Sequence, residues 1–414
     1  MSRLILRIAV VVLLLYSHGA IAADTVKLAY IVGLSGPYAL PGEERVKTFQ
    51  LAADLVNARG GVLGGKKLEI VPLDNKGNPQ EALIVLKQAI DQDIRFVTAS
   101  VSNIAHAVSD AVLKHNARNP DKQVIFLDLS GLDPALTEVN CNFWHFRFEA
   151  HSDMQVHVLT EYMAKQASIK KVYLINQDYA YGQAVSHAAR EMLAAKRPDI
   201  QIVADELVPL GKVRDFAPYI SKIKASGADS VLTGNWGTDL TLLIKASNEA
   251  GIKATFYTVL ATIPGTPSAI GGNGANRVKT VAPLTLNSVD PKWEKVFLEG
   301  KSKYKALSNL DYLPSFRLVD MLATALNQVG SLDTLKIAAA LEGMHYAGPS
   351  GDSWMRTEDH QMMVPIYLLS FVKAGQPGAK VDEEATGYGW KTEMLMSAKD
   401  AAPAIKCKME RLSR

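Results

Sequence analysis

The sequence predicts an α/β protein of two lobes, each built on a parallel-core sheet, and three observations carry that prediction. Short runs rich in Val, Ile and Tyr alternate with longer segments whose apolar residues recur every three or four positions. This rhythm restarts near Phe148 after an irregular stretch over 128–146. About 390 residues remain once an N-terminal targeting segment is set aside, more than the roughly 250–300 that a single core serves.

That targeting segment comes first. Arg3 and Arg7 lead into an apolar run from Ile8 to Tyr16, then Ser17, His18, Gly19 and the small-residue stretch Ala20-Ile21-Ala22-Ala23. The order is that of a secretory signal peptide over residues 1–22. The run is shorter than the about 20 residues that span a bilayer. No cysteine stands at the cleavage site, so a lipid-anchored form is not expected.

Strands are expected at 26–32, 67–73, 95–98 and 123–127, with helices at 43–58, 79–92 and 104–116 between and after them. After Phe148 come strands at 171–176, 200–207, 230–233, 255–258 and 278–282, alternating with helices at 153–166, 182–195, 216–225 and 240–250. Such alternation implies right-handed crossovers and parallel strands. Beyond Pro283 the chain turns helical at 293–304, 312–329 and 335–341, passes a Gly/Pro/Ser-rich stretch at 348–353 and forms a strand near 365–371. The expected division is 24–147 and 283–362 in the first lobe, 148–282 and 363–400 in the second, with a tail over 401–414 returning to the first.

Composition excludes several classes of function. Formal net charge is +3, and losing Arg3 and Arg7 leaves +1, so no field attracts nucleic acid or an anionic membrane. The two cysteines, Cys141 and Cys407, lie far apart in a chain bound for an oxidising compartment. We expect them to pair, two free thiols being the alternative. Gly60-Val62-Leu63-Gly65-Lys66-Lys67 approaches a phosphate-binding loop, but Lys67 stands where Ser or Thr should be, and the order helix then strand is reversed. His145, His151 and His157 are spaced by six, unlike a helical metal pair. With no Gly-x-Ser-x-Gly elbow, no His-Glu-x-x-His and no paired carboxylates, neither an enzyme nor a cofactor is expected.

In an open parallel sheet, ligands sit beyond the carboxyl ends of the strands. The loops there carry Gly33 to Tyr38, Ser100 to Asn103, Leu129 to Leu132, Gln177 to Gly182, Gly234 to Gly237 and Val259 to Ala261, rich in hydroxyls, amides and rings. Ser102 and Asn103 also read as helix caps. Trp236, between two glycines, fits a cleft wall better than a core.

With these residues laid out, the chain resembles periplasmic binding proteins of the branched-chain amino acid (Leu/Ile/Val-binding) class. Ser35-Gly36-Pro37, LAADLVNARGGVL at 51–63, DYAYG at 178–182 and the 234–251 segment carry the likeness. HNARNP at 115–120, KVRDFAPYISKIKASGAD at 212–229 and TGNWGTDLTLL at 233–243 place it among the longer members. The resemblance implies the type I fold, two Rossmann-like lobes with parallel-core sheets joined by a hinge of several crossovers. It also implies ligand trapping by lobe closure, a monomer, and delivery to the membrane permease of an ABC importer from the periplasm. It supports the bridge as well, since Cys141 just before Phe143-Trp144 and Cys407-Lys408-Met409 match the pattern of such members.

Carried over by position, Ser102 and Asn103 fall where the family binds a carboxylate, Ser130 lines the first-lobe wall, and Tyr181 and Trp236 cover the ligand from the second lobe. Tyr38, Val101, Gly131, Leu132, Asp178 and Leu260 complete the expected ligand-binding set. Two departures narrow the cargo. Leu260 stands in the loop where an acid would pair an ammonium, and Leu132 where a hydroxyl would serve it. Unless Asp178 or Asp239 replaces that acid, the expected ligand is a small organic acid or amide without a free α-amino group, aromatic acids included. A branched-chain amino acid receptor and a periplasmic sensor for a signalling partner are the other readings.

Overall fold

A computed structural model describes residues 25–310 and 312–412; the signal peptide read at 1–22 lies outside them. The first sheet has strands β1 (Thr25–Val32), β2 (Lys67–Asp74), β3 (Phe96–Ala99), β4 (Ile125–Asp128) and β5 (His145–Arg147), in the order β2-β1-β3-β4-β5, all parallel. Its crossover helices are α1 (Ala39–Ala58), α2 (Pro79–Asp91) and α3 (Ser102–Arg118). β3 and β4 are buried at every position, as expected of parallel strands covered on both faces. Asn78 starts α2 by accepting from the Gln80 and Glu81 N–H groups, with Pro79 in the first turn.

The chain then enters the second sheet through α4 (Ser152–Ala164). There follow β6 (Lys171–Gln177), α5 (Ala180–Lys196), β7 (Gln201–Val208), α6 (Ala217–Ser226), β8 (Ser230–Thr233), α7 (Gly237–Glu249), β9 (Thr255–Thr258), α8 (Thr266–Gly274) and β10 (Val278–Ala282). Alternate residues of β6 serve opposite faces: Val172 and Leu174 join the apolar cluster shared with the first sheet, whereas Tyr173 and Ile175 fill the outer one.

Next come α9 (Pro291–Tyr304), α10 (Leu313–Val329) and α11 (Thr334–Leu341), then β11 (His345–Gly348), β12 (Gly351–Met355) and β13 (Met362–Met363), which form a small antiparallel sheet. α10 packs on α1, and Gly300 of α9 lies against the Leu51 side chain. β14 (Ile366–Lys373) and β15 (Tyr388–Met396) then complete the second sheet, in the order β15-β14-β10-β9-β8-β6-β7. Both are antiparallel to their neighbours, so parallel pairing ends at β10. Cys141 and Cys407 are paired, which ties the tail to the segment before β5 across a separation of 266 residues.

The stretch over 128–146 is less irregular than its sequence suggests, because β5 lies within it. Fully buried Arg147 organises this region. Its guanidinium donates to the Gly131 carbonyl at 2.8 Å, the Asp133 carbonyl at 2.6 Å, Gln361 Oε1 at 2.6 Å and the Thr137 hydroxyl. Burial lowers its pKa to about 10, against the opposing pull of Asp128 and Asp133. The network fixes the loop after β4, which faces the cleft.

Candidate ligand-binding cleft between the lobes

Parallel pairing brings the ends of β3 and β4 side by side, and a further bridge joins Ser100 to Ser130. The Ser100 hydroxyl meets the Tyr30 hydroxyl at 3.0 Å, and Ser102 Oγ accepts the Asp133 N–H at 3.1 Å. Val101 between them has φ of 74°, a conformation that costs a β-branched residue roughly 1–3 kcal/mol. Its carbonyl accepts from the Ile104 and Ala105 N–H groups, so the strained residue starts α3 at the cleft.

Aromatic rings form the opposite wall. Trp236, 8% exposed, precedes α7, and its Nε1 donates to the Tyr179 hydroxyl at 2.8 Å. Tyr38 of the first lobe lies 5.4 Å from the Trp236 ring, centroid to centroid. Gly77 and Gly211 make room for Tyr38 from both lobes: both have positive φ, and an added Cβ would stand 2.4 Å from its ring at Gly77 and 3.0 Å from its hydroxyl at Gly211. Burial raises the pKa of Tyr38, helped by the Asp239 charge, and raises those of Tyr179 and Tyr181 further, so all three stay protonated at neutral pH. The buried Tyr181 hydroxyl has no partner among the described residues.

These walls enclose a cavity of about 90 Å³. Arg45 is the one charged side chain among its described lining residues, and no acid lines it. The guanidinium carbon sits 3.1 Å over the Tyr312 ring, and Nη1 is buried without a hydrogen-bond partner. Tyr312 donates to Glu149 Oε2 at 2.7 Å. Burial raises the Glu149 pKa, with the Tyr312 bond and the Arg317 charge pulling the other way.

Of the expected set, Tyr38, Val101, Ser102, Ser130, Leu132, Tyr181, Trp236 and Leu260 line this cavity. Asn103, Gly131 and Asp178 do not. Asn103 Oδ1 turns back to the Ile104 N–H, Gly131 gives its N–H to Asp128 Oδ1 beneath the loop, and exposed Asp178 accepts from Gln183. Asp239 is also outside, its Oδ2 taken by Gln177 Nε2 at 2.7 Å and the Gly211 N–H at 2.8 Å. Arg45, Tyr179, Ile263 and Tyr312 join the wall without having been selected from the sequence. Tyr179 lies within the quoted DYAYG turn and could have been chosen. Arg45 reads as a solvated helical charge, in a run of Glu43, Glu44 and Lys47.

The comparisons with known proteins agree with this architecture. Residues 25–376 match the model of the family described as periplasmic binding protein. The chain is 30% identical over 407 residues to the Leu/Ile/Val-binding protein homolog 4 of Brucella melitensis biotype 1, covering 94% of both. Its fold is similar to that of the leucine-, isoleucine-, valine-, threonine- and alanine-binding protein of Brucella ovis in its closed conformation, with a TM-score of 0.83, 28% identity, and coverage of 94% of this chain and 100% of that one. A solute-binding protein of an ABC transporter from Rhodopseudomonas palustris HaA2, in complex with p-hydroxybenzoic acid, matches at a TM-score of 0.77 over 91% of this chain and 98% of that one; at 20% identity this likeness is one of fold. The chain therefore belongs to the periplasmic binding protein family.

Proposed function

We propose that this receptor captures a small carboxylate lacking a free α-amino group, aromatic acids included, by closing its two lobes, and that it acts as a monomer that hands the ligand to its permease. One observation carries the reading: among the described residues Arg45 is the single charge lining the cavity, its Nη1 is unpartnered, and no acid lines the wall, the buried Asp239 with its unpartnered Oδ1 lying outside it. A guanidinium with one buried, unpartnered donor favours an anion, while a buried ammonium without a partner costs several kcal/mol. The hydroxyls of Ser100, Ser102, Ser130 and Tyr181 offer further hydrogen bonds, and the rings of Tyr38, Tyr179 and Trp236 suit a flat or apolar body. The Rhodopseudomonas protein that holds p-hydroxybenzoic acid supports an aromatic acid as cargo. Export by the N-terminal segment at 1–22 fits this role.

A branched-chain amino acid is the second reading, favoured by the 30% identity to the Brucella homolog. Thermal-shift and calorimetric titration with benzoate, 4-hydroxybenzoate, 4-methylpentanoate and leucine separates the two, because a ligand bound only by the native state raises the melting temperature. We expect 4-methylpentanoate, which is leucine without its amino group, to bind more tightly than leucine. Tighter binding of leucine would refute the amino-free reading.

A further inference from the structure

A second chamber of about 70 Å³ adjoins the first. The two share Pro41, Arg45, Leu260, Ile263 and Tyr312, so the Arg45–Tyr312 stack forms part of the partition between them. Glu44, Glu149, Glu383 and Glu384 line the second chamber, but each already accepts hydrogen bonds. Glu44 is held by Lys47 and Ser308, Glu149 by Ala150 and Tyr312, Glu383 by Asn309, and Glu384 by Gly265 and Ser268. Besides Arg45 Nη1, two lining groups have no partner among the described residues. They are Gln155 Oε1 and Trp390 Nε1, on side chains of residues 5% and 3% exposed, one an acceptor and the other a donor. Buried polar atoms in this state are uncommon in native proteins and call for a partner.

We propose that the second chamber is a subsite of the same ligand site and receives an uncharged hydrogen-bonding arm of the cargo, ending in an amide. The proposal rests on the reading that Arg45 holds the carboxylate. An amide supplies what the chamber lacks, an N–H for Gln155 Oε1 and a carbonyl for Trp390 Nε1. A second carboxylate could not donate to Gln155 and would meet four glutamates. An ammonium could pair with Gln155 Oε1 and with the glutamates, which already accept other bonds, but it carries no acceptor and would leave Trp390 Nε1 unpaired. The cargo is then a carboxylate with a neutral polar arm, bound across the partition with its acid group at Arg45.

The test is calorimetric titration of the full chain with four acids that share one backbone length and differ at the far end: pentanoate, 5-amino-5-oxopentanoate, 5-aminopentanoate and glutarate. We expect the amide-ended acid to bind about tenfold more tightly than pentanoate, with glutarate weakest, two hydrogen bonds being worth roughly that factor. The Gln155→Leu and Trp390→Phe pair should bring the amide-ended acid to within about twofold of pentanoate, while pentanoate itself keeps its affinity. Equal binding of pentanoate and the amide-ended acid, or tightest binding of 5-aminopentanoate or glutarate, would overturn the subsite; so would a double variant that weakens both acids alike. These comparisons among wild-type affinities do not depend on the variants folding. If none of the four binds while leucine does, the carboxylate reading falls and takes the subsite with it, an outcome distinct from those that strike the second chamber alone.

Discussion

The two walls of the first chamber differ in chemistry. The first-lobe wall sets Arg45 and the hydroxyls of Ser100, Ser102 and Ser130 among the rings of Tyr30, Tyr38 and Tyr312, with strained Val101 and the Arg147 network holding the loops. The second-lobe wall has Tyr179, Tyr181, Trp236, Leu260 and Ile263. A polar wall recognises an anion by direction and charge, whereas an apolar wall adds area that is removed from water as the lobes meet. The difference suggests a division of work in which the ligand docks on the first lobe and the second covers it.

Acid should strike the two sheets unequally, and this is the largest effect we expect. His145, His151 and His360 are all buried, and burial lowers each pKa below the usual histidine value, only partly offset at His145 by Asp128 and at His360 by Glu342. A histidine with a lowered native pKa leaves stability intact above the unfolded value of about 6.5 and loses it as pH falls below that, by up to about 1.4 kcal/mol per pH unit each. Among the described residues, the strands of the second sheet hold no histidine. Thermal melts at pH 7 and pH 5 should show stability falling with acid, and hydrogen exchange should place the loss around β5 and β13. Uniform loss over both sheets would break the comparison.

Affinity measurements probe the walls themselves. Arg45→Met should weaken carboxylates about 100-fold and the matching primary amides little, as expected for a charge-assisted bond worth about 1.5–3 kcal/mol. Equal losses for acid and amide would show that Arg45 acts only through packing. Trp236→Ala should cost all ligands about 10–30-fold through lost area, with a less negative heat-capacity change of binding. Gly211→Ala should be the smallest, about fivefold, because its methyl would press on the Tyr38 hydroxyl across the closed mouth and strain a backbone at φ of 67°. An unchanged affinity would mean that Tyr38 has room to move and does not register closure.

Most strands were legible because each is a buried run of β-branched and aromatic residues set off by loops, as at 26–32 or 230–233. The elements that escaped depend on distant partners. β5 is three residues long and forms by pairing with β4; β15 is an edge strand carrying Lys391, Thr392 and Glu393; α8 contains Gly271, Gly272 and Gly274 and is held at its start by Glu384 from a loop far along the chain. The same contrast holds in the cleft. Ser102, Ser130, Tyr181 and Trp236 are readable as strand-end residues and line the cavity, while Asn103 and Asp178 lie outside its lining because a polar side chain near a cleft can equally satisfy its own backbone or a helical neighbour.

The sequence by itself determined two β-α halves, the loops that meet at the cleft, the pairing partners Cys141 and Cys407, and the absence of an acid at Leu260, since these depend on local periodicity or on which residue occupies a position. Only the tertiary structure decided that Arg45 becomes the one charged residue among those described that line the cavity, and that Gln155 and Trp390 both line a second chamber. Arg45 comes from the first lobe, Gln155 from α4 and Trp390 from β15. The direction of a side chain on a helix relative to a distant sheet is set by how the elements pack, and no local pattern encodes it.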